Sequence, residues 1–265
     1  MSPDLLFWLT LILKMAVTAA FAVAATIIAE RTGPLIGGLI ATLPVAAGPA
    51  YVFLALDHTP QFLADSALMS LAANPPIAIY ALTYAWLAQR CGLVVSLGAA
   101  LCVWLATAVL LQSISWTLAG AILLHVVVFP VCLLLAEPLR HAPVPRLRRY
   151  WYDTVLRAAA VAVLVAAVVG LSFSIGPRST GVLAVFPIVL TSIIIILHRR
   201  IGGRATAAVL ANTVLGLIGF GGAVATLHLT VVPLGPALAL PLALAVSVSW
   251  GLLVLGVRSL RRRRV

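Results

Sequence analysis

The chain reads as an all-α polytopic membrane protein, with about nine transmembrane helices in two inverted-topology repeats, and three observations lead to that reading. Of its 265 residues 63% are apolar and only 9% are charged, with a mean hydropathy of +1.19, a balance that no water-facing surface sustains. Apolar runs follow one another with short connections, each long enough to cross about 30 Å of hydrocarbon as about 20 helical residues. Finally, Gly33-Pro34, Gly38, Ala41 and Pro44 recur without a gap, 143 residues later, as Gly176-Pro177, Gly181, Ala184 and Pro187, the mark of an internal duplication.

Nine spans are expected, near 7–29, 34–56, 63–88, 93–111, 116–136, 154–175, 178–197, 205–227 and 235–257. The runs are continuously apolar rather than alternating, and a lipid-exposed backbone must pair its own amides, so helices are chosen over a barrel. Residues 1–136 form the first repeat with five spans, 137–152 a basic cytoplasmic linker, and 153–265 the second, inverted repeat with four spans and a basic tail. Five spans separate the start of one copy from the start of the other. An odd number reverses the direction of crossing, so spans 1–4 match 6–9 upside down, with span 5 as connector.

The formal net charge of +11 sits beside the spans rather than on a solvated face. Arg90, then Arg140 to Arg149, Arg199 to Arg204 and Arg258 to Arg264 flank spans 3, 5, 7 and 9, whereas Asp57 to Gln61, Gln112 to Ser115 and Leu227 to Pro236 hold no Lys or Arg. Cytoplasmic loops carry the basic excess. The amino terminus is therefore expected outside and the carboxyl terminus in the cytoplasm, in a cytoplasmic (inner) membrane. The basic residues are topology signals that meet lipid headgroups, and no nucleic-acid partner is expected.

Cys91, Cys102 and Cys132 have no paired spacing and read as small packing residues. The first span lacks a basic leader and a small-residue cleavage site, so it is expected to stay in the mature protein. Trp8 and Trp151 read as aromatic anchors at opposite interfaces, and Lys14 and Arg157, at matching places, as side chains that snorkel to those interfaces.

Within each repeat the second span carries the chemistry. Pro44 and Pro187 fall near midmembrane, where a missing amide frees the carbonyls of Ile40 and Leu183 and lets spans 2 and 7 kink or unwind. Broken helices of that kind hold substrates and ions in small carriers. Gly48 and Tyr51 follow Pro44, Thr191 and Ser192 follow Pro187, and Asn74 and Asn212 take matching places in spans 3 and 8 once the second copy is shortened by five residues. With Tyr80 these nine residues form the expected substrate site, the asparagines turning inward because an amide in hydrocarbon needs a partner. Tyr84 shares a face with Tyr80. Asp65, near the outer mouth, and His125, inside span 5, are the candidate coupling groups. Asp57 reads as a solvated loop residue, and the Gly216 to Gly222 stretch as close helix packing.

No Ser/His/Asp set, Walker lysine, clustered His and Cys or midmembrane carboxylate pair is present, so neither an enzyme nor a metal centre nor a bound cofactor is expected. Coupling to sodium, through the oxygens of Thr42, Thr191, Ser192 and the asparagines, and coupling to protons are both compatible with the chain. The inverted plan is similar in layout to that of bile-acid-symporter-like carriers, with nine spans in place of ten. The expected function is alternating-access transport of a small organic solute or anion, by a monomer or a homodimer. A lipid-handling or membrane-assembly protein is the alternative and a pore the third reading, disfavoured by the lack of charged rings. An enclosed polar cavity marks the first of these and a groove open sideways to lipid the second.

Overall fold

A computed structural model describes residues 3–31, 46–143, 145 and 151–262 of this chain, all of its regular structure helical. The elements are α1 (Pro3–Arg31), α2 (Ala47–Asp57), α3 (Pro60–Leu87), α4 (Leu93–Gln112), α5 (Leu118–Ala136), a 3-10 turn (Glu137–Leu139), α6 (Trp151–Ala184), α7 (Ile188–Leu234) and α8 (Pro236–Arg262). Among the described residues six helices are long and apolar enough to cross a membrane: α3 to α8. The protein is a multi-pass, all-helical membrane protein.

Nine spans were expected and six such helices are present among the described residues, and the connections also differ. Where loops were expected between spans 6 and 7 and between spans 7 and 8, single glycines turn the chain. Gly176, Gly202 and Gly235 have φ of 71°, 78° and 75°, values open to glycine because it has no Cβ. Pro177 and Pro236 then open the next helix, where a missing amide costs nothing. Residues 151–175 and 177–184 are thus two limbs of α6, and 188–201 and 203–234 two limbs of α7. The expected seventh span is two short pieces separated at Val185 to Pro187. Of the second span only α2 is described. Pro44, Thr42 and the Gly33-Pro34 motif lie outside the described residues.

Side-chain caps start two other helices: Thr59 accepts from the Phe62 amide at 3.3 Å and Thr117 from the Gly120 amide at 3.1 Å. α3 is the axis of the fold. It is largely buried and packs against α4, α5, both limbs of α7 and the second limb of α6, whereas α4, α5 and α8 turn most of their residues outward. Val94, Leu123 and Leu134 are among the exposed side chains there, as suits a surface solvated by acyl chains.

α3 runs antiparallel to the second limb of α7. Ala64 faces His228, whose Nδ1 meets the Ala64 carbonyl at 2.8 Å; Asn74 faces Leu217; and Ala88 faces Gly203. Against the second limb of α6 and the first limb of α7 it runs parallel, Ser66 facing Pro177 and Tyr84 facing His198. Contacts this close need small residues. A Cβ on Gly203 would lie 2.2 Å from the Ala88 carbonyl oxygen, and one on Gly219 2.4 Å from the Trp250 ring of α8.

Two ion pairs are formed by long side chains, and one of them corrects a reading. Lys14 does not snorkel outward; its Nζ bonds Asp57 at the end of α2, and Asp57 is accordingly no solvated loop residue, both side chains being less than one-fifth exposed. In surroundings of low dielectric an unpaired charge is costly, and each of these side chains is the other's compensation. Asp153 takes both guanidinium nitrogens of Arg200, at 2.6 Å and 2.5 Å, a bidentate match of fork to carboxylate. Trp151 is exposed at the start of α6, its ring edge-on to Tyr152.

Candidate functional site

The site begins with the spacing of polar residues on α3. Ser66, Ser70 and Asn74 repeat every four residues, and Tyr80 and Tyr84 return to the same stripe two turns further on. All five are fully buried. Each is bonded to another helix, as buried polar groups must be.

Ser66 Oγ donates to the Pro177 carbonyl at 3.1 Å and Ser70 Oγ to the Gly181 carbonyl at 2.6 Å. With that hydroxyl proton spent, the Tyr51 hydroxyl donates to Ser70 at 2.7 Å. Thr191 spends its own proton on the Pro187 carbonyl at 2.7 Å, so Tyr80 donates to Thr191 at 2.8 Å. Tyr84 reaches His198 Nδ1 at 2.7 Å. Tyr80 and Tyr84 tie α3 to the first limb of α7, and Tyr51 ties α2 to α3. Of the expected site residues these bonds engage Tyr51, Tyr80 and Thr191; Ser192 turns back to the Val189 carbonyl and Gly48 lies half-buried in the first turn of α2.

The break itself departs from expectation in its chemistry. The chain unwinds before Pro187, whose ψ is 47°, yet the Leu183 carbonyl is not free: it accepts the Phe186 amide at 3.0 Å. Phe186, its ring edge-on to Trp104 of α4 at 5.0 Å, packs against the buried cluster that includes Val185, Ala73 and Ile77. The break is therefore apolar on the amino side of Pro187, with the Thr191 and Tyr80 hydroxyls on its carboxyl side.

A separate polar centre lies where α3, α5 and α7 meet. Asn74 Nδ2 donates to the Leu217 carbonyl at 2.8 Å and to His125 Nε2 at 3.1 Å. His125 Nδ1 lies 2.8 Å from the Ala121 carbonyl. A carbonyl only accepts, so Nδ1 carries the ring proton and Nε2 presents its lone pair to Asn74. Both neighbours of the amide nitrogen are then acceptors, which leaves Asn74 Oδ1 buried and without a hydrogen-bond partner. Pro75 and Pro76, next along α3, remove the amides that would serve the Leu71 and Ala72 carbonyls. Gly221 makes the space: a Cβ there would stand 2.8 Å from His125 Nε2 and 3.1 Å from Asn74 Nδ2.

The two asparagines are not brought together. Asn212 lies more than a turn from Leu217 on α7 and donates to the Ala208 carbonyl at 2.9 Å and the Arg140 carbonyl at 3.5 Å, near the 3-10 turn. The five-residue shortening placed it opposite Asn74, but the helices keep their spacing: α4 begins at Leu93 and α8 at Pro236. Asp65 is bonded to Gln61 at 3.0 Å on the exposed end of α3. Among the described residues no three His, Cys, Asp or Glu side chains gather as a metal site would need.

Sequence reasoning left out Ser66, Ser70, His198 and His58, and it read Gly221 as close helix packing without its neighbours His125 and Asn74. The four-residue spacing Ser66-Ser70-Asn74 is a signal for the first two. Nothing in the sequence marks the Tyr84–His198 bond or the His58 Nε2 contact with Ser172 at 2.7 Å.

Two cavities flank the bundle, and both are apolar. One, of about 460 Å³, lies between the first limb of α6 and the helix break, lined by Leu156, Ala160, Val163, Leu183, Phe186 and Ile188. The other, of about 430 Å³, lies between α3 and α5, against Ile79, Thr83, Trp86, Val127, Val131 and Leu135. Val127, Val131 and Val163 are exposed, so the grooves open sideways. Comparison with protein-family models, with curated proteins and with solved structures finds no match to this chain.

Proposed function

We propose that this protein is a small secondary transporter of the inverted-repeat class, moving a small organic solute or anion across the cytoplasmic membrane by alternating access. The observation that carries the reading is the antiparallel crossing of α3 and the second limb of α7 at Asn74, where an uncharged polar centre with an unpaired oxygen lies deep in the bundle. A buried acceptor without a donor is costly in hydrocarbon. It is retained where something else, a substrate, an ion or a second conformation, satisfies it.

The repeat supports the same reading. Asn74 and Leu217, in contact at the crossing, are 143 residues apart, the spacing of the Gly-Pro motifs and of the starts of α4 and α8. Residues equivalent in sequence and antiparallel in space are what a pseudo-twofold axis in the membrane plane requires. The halves would rock about that crossing, the polar rungs between α3 and the broken helix exchanging partners. The arginine-bearing ends would face the cytoplasm, with the amino terminus outside.

A second reading is favoured by the sideways apolar grooves, which fit acyl chains: a lipid handler, with the basic collar at the headgroups. One preparation separates the two. Proteoliposomes are screened for saturable uptake of labelled small organic acids, amines and neutral solutes, and in parallel for dithionite access to NBD-labelled phospholipid. Saturable solute uptake with no lipid exchange is expected; lipid exchange without solute uptake would overturn the carrier reading.

A further inference from the structure

We propose that Asn74 and His125 form a proton-binding switch at the crossing of α3 and α7, in which protonation of His125 turns the Asn74 amide over and breaks its bond to Leu217. The proposal rests on the transporter reading and deepens it by naming the coupling ion and the element it moves.

The geometry leaves one place for a proton. His125 Nδ1 is already protonated toward the Ala121 carbonyl, and Nε2 holds the only free lone pair of the ring. A proton delivered from water forms an Nε2–H bond and leaves the imidazole as a cation with both nitrogens donating. The Asn74 Nδ2 group, 3.1 Å away, is then a donor facing a donor. Rotation of the amide by half a turn relieves this by presenting Oδ1, the buried oxygen that has no partner in the present state. The orphan acceptor and a protonated Nε2 are complementary halves of one bond, which replaces the present Nδ2–H to Nε2 bond only when the proton arrives.

The same rotation has a mechanical consequence. Nδ2 now sits 2.8 Å from the Leu217 carbonyl oxygen, and after rotation Oδ1 takes that place. Two acceptors at that separation repel, so α3 and the second limb of α7 must part. They part at the crossing that relates the halves. The Leu71 and Ala72 carbonyls, short of their helical donors, offer the displaced Nδ2 group new acceptors on its own helix.

Among the described residues no charged group in contact with His125 competes for the proton. α5 contributes Ala121, Phe129 at 5.2 Å between ring centroids, and Cys132 two turns on. α7 contributes Gly221 and the Leu217 carbonyl, its nearest titratable group being His228, which is bonded to Ala64. α3 contributes Asn74, with Tyr80 tied to Thr191 and Asp65 to Gln61. No ion pair among the described residues reaches His125. Its protonation is therefore read out by one amide.

The test uses the whole protein in liposomes with ¹⁵N-labelled histidine and asparagine and carbonyl-¹³C-labelled alanine, followed by solid-state NMR from pH 8 to pH 4.5. The His125 ring is assigned by its correlation to the Ala121 carbonyl carbon, and independently by its loss in His125→Gln. At pH 8 the Nε2 signal is expected at the unprotonated position with a through-space correlation to Asn74 Nδ2. On acidification it is expected to move to the protonated position while the Nδ2 correlation disappears in step. An Nε2 that stays unprotonated to pH 4.5, or one that protonates with the Nδ2 correlation intact, overturns the switch. Solute uptake equal with and without a pH gradient overturns the coupling and leaves a carrier, whereas no solute uptake overturns the carrier reading itself, so the failures are told apart.

Discussion

Replacing Gly181 by alanine tests how α3 is held to the broken helix. A Cβ at 181 would fall 2.1 Å from the Ser66 carbonyl oxygen and 2.9 Å from Met69 Cβ, against roughly 3.5 Å for non-bonded heavy atoms in good contact. The Ser66 oxygen is backbone in a helix and cannot rotate away. The helices must separate by about 1 Å to restore contact distance, which stretches the Ser70 bond to the Gly181 carbonyl from 2.6 Å and the Ser66 bond to the Pro177 carbonyl from 3.1 Å. Overpacking costs about 1–3 kcal/mol, and each weakened intramembrane hydrogen bond about 0.6 kcal/mol, so Gly181→Ala is expected to lose about 2–4 kcal/mol. Gly98→Ala on the exposed face of α4 is the reference, since nothing lies within 4 Å of a Cβ there. Helix propensity alone predicts a gain of about 1 kcal/mol for it. The assay is reversible unfolding in mixed micelles, titrated with sodium dodecyl sulfate and followed by tryptophan fluorescence. A Gly181→Ala protein that unfolds at the wild-type midpoint would refute the close approach of these helices.

Other expectations follow from the same contacts. Gly221→Ala should cost about 1–3 kcal/mol, while Gly222→Ala, whose Cβ meets only the Val246 side chain at 3.2 Å, should cost less in the same titration; the reverse order would remove His125 and Asn74 from the tight contact. Lys14→Met and Asp57→Asn should each destabilise, and a double-mutant cycle should give a coupling energy of about 1–3 kcal/mol; additive effects would mean that the pair does not form in the bilayer. Burial lowers the pKa of His58, in the turn between α2 and α3, below its usual 6.5; Asp57 opposes the shift and Lys14 adds to it. The folded state then binds fewer protons there than the unfolded chain, so stability falls as pH drops from about 6.5 toward the lowered value. The melting temperature should therefore fall between pH 7 and pH 5, and by less in His58→Gln; equal slopes would exclude His58 as a contributor.

How much was legible in the sequence differs from element to element. Span positions were legible because a helix in hydrocarbon must be continuously apolar, and the runs at 93–111, 116–136 and 235–257 match α4, α5 and α8 within a few residues. The turns at Gly176 and Gly202 were legible only in part. A glycine with positive φ needs no loop residues, so no polar punctuation announces it. Asn74 and His125 stood out because amides and imidazoles are rare at such depth. Their pairing did not, since α3 and α5 are brought together by packing across a sequence separation of 51. Asn212 was misplaced by matching one residue type to another in place of matching helix ends.

Composition and spacing by themselves determined the solvent, the secondary structure and the tandem of Gly-Pro motifs, because each is set locally, by the free energy of placing a residue or a turn in lipid. The tertiary structure alone decided which polar groups meet. A stripe of serines, asparagine and tyrosines on one helix finds its partners on several others, at helix crossings whose closeness is set by the absence of side chains at Gly181, Gly203 and Gly221. Such contacts depend on distances between segments far apart in the chain, on which no run of neighbouring residues has any bearing.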